Sequence, residues 1–423
     1  MADLNKTLTV WRGAALMLNI VLGAGLLALP GLAVQAVGKS ALLVWAACVI
    51  AAAPLLVVFA ILGRRYPDAG GIAAISKVAF GRFGYVASML LFLGAVVLGL
   101  PAIALTGGHY ASAMLGGSPH LYAIGLLLAA VLLNVISVDL AGRINAAIAS
   151  LLIVILVAIA VVGLWDTPFS AERLPSLEGL PAVPVAVFGA AFMMVFFAFT
   201  GWEVGANLSG EFKNPKRDFP LAMALSFAAA IVLYGMLAIV AQLNDLNGSY
   251  EAPFSSIFQT RFGVGGTIAI GITAVLLIFA NLSAAVWAVS RMVFSAAREG
   301  LFPAALKAVH NGMPYRAVLV TVAALVVVIG LSGIGLFQLD SLLATAGQNF
   351  LLLYAGAAAA LICVSACIWH RVLGAASVLL VAALIAAHGL NGAVYPLALI
   401  AVAGMISINW ERPERDEALS GRS

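Results

Sequence analysis

Twelve long apolar stretches constrain the fold of this chain more than any other feature. About 20 mostly apolar residues in a helix are enough to cross the hydrocarbon of a bilayer. Of the 423 residues, 64% are hydrophobic and 9% are charged, whereas about a quarter of the residues are charged in an ordinary globular domain. The sequence therefore predicts an all-α polytopic membrane protein with 12 transmembrane helices.

The predicted spans follow one another with short polar loops between them. We place them at residues 13–37, 40–62, 84–113, 121–139, 144–165, 185–210, 221–243, 266–295, 317–337, 341–368, 372–388 and 393–410. The longest polar stretches, 166–184 and 244–265, are too short to build a core of their own. Residues 1–423 are therefore expected to form a single transmembrane domain, with any function inside the membrane.

Basic residues are divided unequally between the two sides of the predicted bundle. The termini, alternate loops and the adjoining span ends hold all but three of the 21 Lys and Arg residues, and the opposite side holds Lys39, Arg173 and Arg261. Loops rich in Lys and Arg stay in the cytoplasm. Both termini are therefore predicted to be cytoplasmic, and because topology explains the basic charge, no nucleic-acid partner is predicted.

Motifs of soluble catalytic sites are not found in the sequence. Cys48, Cys363 and Cys367 all fall in predicted spans, which indicates neither a disulfide framework nor a metal site. No phosphate-binding loop and no convincing Ser-His arrangement is present. We therefore expect no cofactor and no metal, and an ion or substrate gradient as the source of energy.

The first and the sixth predicted spans are interrupted by residues that weaken a helix. The first reads Val21-Leu22-Gly23-Ala24-Gly25-Leu26, and the sixth reads Phe197-Ala198-Phe199-Thr200-Gly201-Trp202-Glu203. Glycine leaves main-chain groups uncovered, and a break survives in lipid only where it lines a cavity. Interrupted spans at corresponding places in two halves indicate a transporter with its site at the midplane. For either glycine cluster alone, close helix packing is the alternative.

Glu203 is the one ionisable residue that we place inside a span and away from its ends. A carboxylate is costly there, so its presence is a functional hypothesis by default. Such a group could take up and release a proton during transport. The alternative is a protonated side chain that hydrogen-bonds to a neighbouring helix.

Backbone groups at the two breaks suit the two charges of an amino acid. N–H groups after Gly25 begin a half-helix and favour an α-carboxylate. Carbonyl groups near Val21 and Leu22, and near Phe197 and Ala198, end the preceding half-helices and favour an ammonium group. The substrate's charges could thus be met without charged side chains.

Three aromatic residues cluster at the sixth-span break, and only one or two of them can face a cavity. They are Phe197, Phe199 and Trp202. Phe197 is the predicted lid over the substrate. Together with Trp202 and Glu203 it forms the predicted gating and coupling set.

Two loops resemble those of the amino acid, polyamine and organocation superfamily. They read Gly63-Arg64-Arg65-Tyr66-Pro67-Asp68-Ala69-Gly70-Gly71 and Glu211-Phe212-Lys213-Asn214-Pro215-Lys216-Arg217-Asp218-Phe219-Pro220. The two interrupted segments and Ala297-Arg298-Glu299-Gly300-Leu301-Phe302-Pro303 are similar in order and spacing. The resemblance covers nearly the full chain, and the loops look most similar to those of bacterial exporters of methionine and branched-chain amino acids.

This resemblance implies a five-plus-five inverted repeat with discontinuous first and sixth helices, plus two C-terminal helices, in a bacterial inner membrane. The first repeat would cover about 11–165, the second about 185–368, the extra helices about 372–410 and a cytoplasmic tail 411–423. It also implies alternating access and binding on both breaks. Residues Gly23 to Gly25 would receive the substrate's charged groups, with Phe197 as the aromatic gate and Glu203 beneath the site.

The resemblance further implies that Gly94, Ala95 and Gly99 of the third span form a side wall of the site. The chain departs from some proton-coupled relatives, because its fifth span, 144–163, has no Lys. Its eighth span also lacks the adjacent hydroxyl pair of sodium-coupled relatives. Coupling through either device is therefore not indicated, although a proton remains the candidate coupling ion.

Secondary active transport of small neutral amino acids is the function that the sequence favours, with export of methionine and branched-chain amino acids as the leading form. Arginine or a polyamine would require further acidic residues near the site, and the spans supply one intramembrane acid. A proton-coupled importer of the same substrates stays open, as does a membrane sensor or subunit that binds an amino acid without net flux. An enzyme is disfavoured for want of a nucleophile and base, and no oligomeric state is predicted.

Overall fold

The computed structural model describes residues 7–22, 24–66, 71–136, 138–165, 167, 171–175, 183–309 and 313–409. Helices dominate these ranges: α1 Val10–Val21, α2 Leu29–Val37, α3 Ala41–Arg65, α4 Gly71–Leu115, α5 Pro119–Ile136, α6 Val138–Leu164, α7 Val185–Phe196, α8 Trp202–Ala206, α9 Pro215–Leu243, α10 Pro253–Arg298, α11 Tyr315–Gly333, α12 Leu339–Val364, α13 Ile368–His388 and α14 Leu390–Asn409. Short 3-10 turns lie at Ala24–Leu27, Gly38–Ser40, Ala171–Arg173, Phe197–Phe199, Asn207–Glu211 and Ala304–Lys307.

These helices form twelve spans, because α1 and α2 make up one interrupted span and α7 and α8 another. Eight helical segments between residues 29 and 388 are long and apolar enough to cross a bilayer by themselves, and shorter apolar helices belong to the other spans. The predicted all-α polytopic membrane fold with discontinuous first and sixth helices is confirmed.

The first break begins where α1 ends at Val21 and the backbone of Leu22 leaves the helical region, with φ −71° and ψ 62°. The 3-10 turn Ala24–Leu27 follows. α2 then starts at Leu29, with Pro30 in its first turn, where the missing N–H of proline has no helical partner to lose. Gly23 was predicted to take part in this break and lies outside the described residues.

The sixth-span break has a related build. α7 ends at Phe196 and passes into the 3-10 turn Phe197–Phe199. Thr200 is extended, and Gly201 has a φ of 102°, a conformation that residues with a side chain rarely adopt. The chain therefore turns through two non-helical residues before α8 begins at Trp202.

The third and eighth spans, α4 and α10, carry matching kinks. Gly81 in α4 has φ 63° and ψ −147°, and Gly263 in α10 has φ 61° and ψ −150°. Each follows a Phe and precedes a second Gly by three positions, in the shared pattern Phe-Gly-x-x-Gly. This correspondence agrees with the inverted repeat, whose boundaries at 11–165 and 185–368 stay predictions.

Replacing Gly263 with Ala is expected to destabilise the protein, since its backbone conformation is almost restricted to glycine. The cost should be about 1–3 kcal/mol, visible as a lower Tm of the detergent-purified chain. Gly265→Ala is the matched control, because Gly265 lies in the same helix with open space around it and no positive φ. Equal Tm values for both variants would contradict this account.

α4 lies at the centre of the bundle and packs against α12, α10, α5 and α14. α13 packs on α12 and α7, and α14 packs on α4 and α12. Gly94 of α4 faces α14, where the Tyr395 hydroxyl donates a hydrogen bond of 3.3 Å to its carbonyl. The implied side-wall position of Gly94 is therefore wrong, because a side chain there would meet Leu399 and Tyr395.

One end of the bundle is called the basic end here, and it holds Arg64 and Arg65 at the end of α3, Lys77 near the start of α4 and Arg298 at the end of α10. Tyr85 and Glu299 interact at this end and join α4 to the segment after α10. The site described next lies between the basic end and the opposite end of the spans.

Candidate functional site

A cavity of about 170 Å³ lies where the two helix breaks meet. The predicted site residues that line it are Val21, Leu26, Phe197, Ala198, Thr200, Gly201 and Glu203. Ala95 and Gly99 of α4 complete one wall, as the resemblance implied. The structure thus brings residues of both breaks to one central cavity.

The other predicted site residues lie around this cavity in different ways. Leu22 lines an adjoining cavity of about 500 Å³. Ala24 and Gly25 belong to the 3-10 turn of the first break. Phe199 is fully buried against Trp45 and Tyr234, with ring centroids 6.1 and 5.2 Å apart. Its side chain therefore packs in the helix core and is not among those that line the central cavity.

Trp202 is also a core residue in this structure. Its side chain is fully buried, and its ring lies edge-on to Phe227 with the centroids 5.8 Å apart. Residues on a helix face outward in different directions at about 100° per residue, so neighbours of Phe197 and Glu203 need not share their cavity. Trp202 therefore packs α8 against α9, and it is not among the residues that line the central cavity.

Tyr234 of α9 connects the two breaks, which the sequence did not predict. Its hydroxyl lies 2.7 Å from the Ala198 carbonyl oxygen and 3.2 Å from that of Val21, and it donates to both. These are two of the carbonyl groups predicted to accept an ammonium group. Each carbonyl oxygen has two lone pairs, so each can accept from Tyr234 and from a second donor in the cavity.

Glu203 joins the sixth-span break to α12. Its Oε2 accepts hydrogen bonds from the Gly201 N–H at 2.9 Å and from the Tyr354 hydroxyl at 2.5 Å. The side chain is 5% exposed, and it lines both the central cavity and an inner cavity of about 310 Å³. Glu203 therefore hydrogen-bonds to a neighbouring helix, as the alternative expects, and also faces two cavities; both bonds have its Oε2 as the acceptor.

Phe197 packs against the two helices beside the cavity. Its ring centroid lies 6.2 Å from that of Phe350 on α12. A Cβ atom placed on Gly99 would lie 2.8 Å from a carbon of the Phe197 ring. The ring therefore fits against α4 because residue 99 has no side chain. Phe350 in turn packs edge-on against Phe92 of α4, at 5.9 Å.

Two larger cavities adjoin the central cavity. All three share Val204 as a lining residue, and the cavity of about 310 Å³ reaches Ile72 and Ala73 in the first turn of α4. Their walls are mostly apolar, and Asn281 is one of the few polar residues, lining both the central and the 500 Å³ cavity. The cavity of about 310 Å³, with Glu203 and residues of the first turn of α4 in its wall, therefore lies between the sixth-span break and the basic end.

Arg291 is a second ionisable residue within a span, which corrects the expectation that Glu203 stands alone. It belongs to α10, and its guanidinium lies over the ring of Trp287, 3.0 Å from the centroid. A Trp four residues before an Arg is the pattern that signals such a stack on a helix. Because the aromatic face stabilises the cation, Arg291 is held beside Trp287.

Comparisons with known proteins agree over most of the chain. A family model described as amino acid permease matches residues 8–406. The L-methionine/branched-chain amino acid exporter YjeH of Escherichia coli is 31% identical over 310 residues, 71% of this chain and 72% of that protein. The uncharacterized amino acid permease YecA of Bacillus subtilis is 30% identical over 344 residues, 80% of either chain. The serine/threonine exchanger SteT of Bacillus subtilis is 26% identical over 327 residues, covering 74% of this chain and 73% of that protein.

Proposed function

The chain belongs to the amino acid permease family, and from this we propose that it is a secondary active transporter of small neutral amino acids. We propose further that it exports methionine and branched-chain amino acids by alternating access. The observation that carries the proposal is the central cavity, where the Val21 and Ala198 carbonyls lie beside the Tyr234 hydroxyl. Family membership supports an amino acid as the molecule that this cavity accepts.

Binding of the α-amino group would use these carbonyls together with Tyr234. A primary ammonium carries three N–H donors and could donate to both carbonyl oxygens. The α-carboxylate would lie at the first break, where N–H groups of the turn Ala24–Leu27 begin the second half of the span. Both charges of the substrate would thus be met by main-chain groups and one phenol.

The walls of the cavity support an apolar side chain on the substrate. Phe197 and Phe350 lie at one end, and Val96, Leu100 and Ile103 of α4 line its side. Burying a methylene group among such residues is worth about 0.8 kcal/mol, whereas an unpaired polar group there would be penalised. L-methionine and branched-chain amino acids, after which the related Escherichia coli exporter is named, have side chains of this kind.

Alternating access would use Phe197 as the lid on one side and the apolar cavities on the other. We propose that the basic end is cytoplasmic, that both termini lie there, and that the membrane is the inner membrane of a bacterium. The excess of Lys and Arg at that end supports this orientation. Substrate would then bind from the cytoplasm through the cavities that share Val204. We propose Glu203, at the wall between central and inner cavities, as the proton-coupling group.

Counterflow of radiolabelled methionine and leucine into proteoliposomes of the purified chain tests this proposal. We expect saturable uptake that unlabelled methionine, leucine, isoleucine and valine compete, and that changes with pH on either side. Arginine should not compete. Folded protein that exchanges no neutral amino acid would overturn the proposed substrate class, and binding without counterflow would favour a sensor.

Gly99→Val should impair the lid. The added side chain would occupy the space of the Phe197 ring, which must then leave its position between α4 and α12. We expect the KM for methionine counterflow to rise about fivefold, roughly 1 kcal/mol of lost binding. Gly125→Val in α5 is the control, because no neighbouring atom lies within 4 Å of a Cβ atom there. Similar KM values for the two variants would indicate that the position of the Phe197 ring does not affect substrate binding.

A further inference from the structure

Three basic side chains converge on Ser365, in the turn between α12 and α13. Arg65 Nη1 lies 3.5 Å from the Ser365 hydroxyl oxygen, and His370 Nδ1 lies 2.9 Å from the same atom. Arg371 Nε donates to the Ser365 carbonyl oxygen at 2.9 Å. Arg65, His370 and Arg371 are called the basic cluster below, and the three side chains come from α3 and α13, at the basic end.

The basic cluster brings the guanidinium groups of Arg65 and Arg371 to the same turn. Within the described ranges, neither group forms an ion pair with Asp or Glu. Arg371 also lies in the first turn of α13, where the helix dipole disfavours positive charge. Cys367, at the cap position of this helix, gives no side-chain cap. The arrangement therefore offers positive charge and free N–H groups to an anion.

The two guanidinium groups of the basic cluster can bind a phosphate group. Guanidinium groups present several N–H donors in a fixed fork that matches phosphate oxygens, and Arg65 and Arg371 use one nitrogen each on Ser365. The remaining nitrogens of the two exposed side chains can face a third molecule. Ser365 is 1% exposed, and both arginines contact this buried residue.

The surroundings of the basic cluster indicate where the phosphate comes from. Ile368 and Trp369, which precede His370 and Arg371, are 65% and 76% exposed. Exposed Trp at the end of a span is typical of the membrane interface, and basic groups beside a span attract anionic headgroups. We propose that the basic cluster binds the headgroup phosphate of an anionic lipid, whose acyl chains lie along the start of α13.

Lipid retention by the purified full chain tests this proposal. The detergent-purified protein would be incubated with phosphatidylglycerol or phosphatidylcholine, and bound lipid counted by native mass spectrometry. Wild type should bind phosphatidylglycerol preferentially. Arg65→Gln/Arg371→Gln should bind it about tenfold more weakly, because two basic contacts near the headgroup are lost. Arg64→Gln removes a neighbouring exposed charge and should bind it like wild type.

Two further measurements serve as controls for this experiment. Arg65→Lys/Arg371→Lys retains the charge without the fork and should bind with intermediate strength, which also checks that the site tolerates substitution. Inorganic phosphate would be titrated against the bound lipid. Equal phosphatidylglycerol binding by the double Gln variant and wild type, or no preference over phosphatidylcholine, would overturn the proposal. Binding of inorganic phosphate to the protein without any binding of phosphatidylglycerol would contradict a lipid as the source of the phosphate. It would assign the basic cluster to free phosphate.

Discussion

Glu203→Gln is expected to remove the pH dependence of amino acid counterflow and to lower the rate at the most favourable pH about tenfold, equivalent to about 1.4 kcal/mol. Only a carboxyl group can take up and release a proton at this position. Gln retains a side-chain oxygen that can accept from the Gly201 N–H and the Tyr354 hydroxyl. The variant should therefore fold and elute as wild type does.

Tyr354→Phe is the matched control for the Glu203 variant. It removes the hydroxyl that donates to Glu203 and leaves the carboxyl in place. We expect this variant to keep a pH-dependent rate, with the profile displaced along the pH axis, since a hydrogen bond to a carboxyl changes its affinity for protons. If the counterflow rate of Glu203→Gln depended on pH as that of wild type does, Glu203 would have only a structural role in joining α8 to α12.

Tyr234→Phe should weaken substrate binding strongly, with an increase of about tenfold in the KM for methionine counterflow. The hydroxyl hydrogen-bonds to both helix breaks, and its loss leaves two buried carbonyl groups without this partner. Loss of such a partner costs about 1–3 kcal/mol of stability, and KM rises because the phenol oxygen that would accept a hydrogen bond from the α-ammonium group is removed. The measurement is counterflow across a range of methionine concentrations, together with the Tm of the purified variant.

Tyr110→Phe separates a binding role for Tyr234 from a general loss of stability. Tyr110 is also fully buried, and its hydroxyl donates to the Leu27 carbonyl at 3.0 Å beside the first break. It is not among the residues that line the central cavity. Its loss should lower the Tm with little change in KM. Parallel changes in KM for both variants would indicate that Tyr234 acts only through the stability of the breaks.

Local sequence features predicted the two interrupted spans, because glycine acts on the backbone where it stands. Gly25 and Gly201 stand at those two places. Glu203 was found because an acid inside a span is rare. The repeated Phe-Gly-x-x-Gly pattern at Gly81 and Gly263 was also readable and would have located the kinks of α4 and α10.

Partners from distant parts of the chain were not predictable. Tyr234 and Tyr354 contact the breaks through the packing of α9 and α12. No local sequence pattern around either residue predicts this contact. For the same reason, the sequence could not show which aromatic residue of the sixth span faces the cavity. The direction in which Phe197, Phe199 and Trp202 point follows from how the 3-10 turn rotates the chain, which composition does not reveal.

The row of rings formed by Phe197, Phe350 and Phe92 matters for protein engineering. Phe197 is the proposed lid, Phe92 lines both of the larger cavities on the proposed route, and Phe350 packs against both rings. A smaller residue at position 350 would enlarge the space for a substrate and would also remove the support shared by both ends of the route. Substrate range and release rate therefore cannot be redesigned independently at that position.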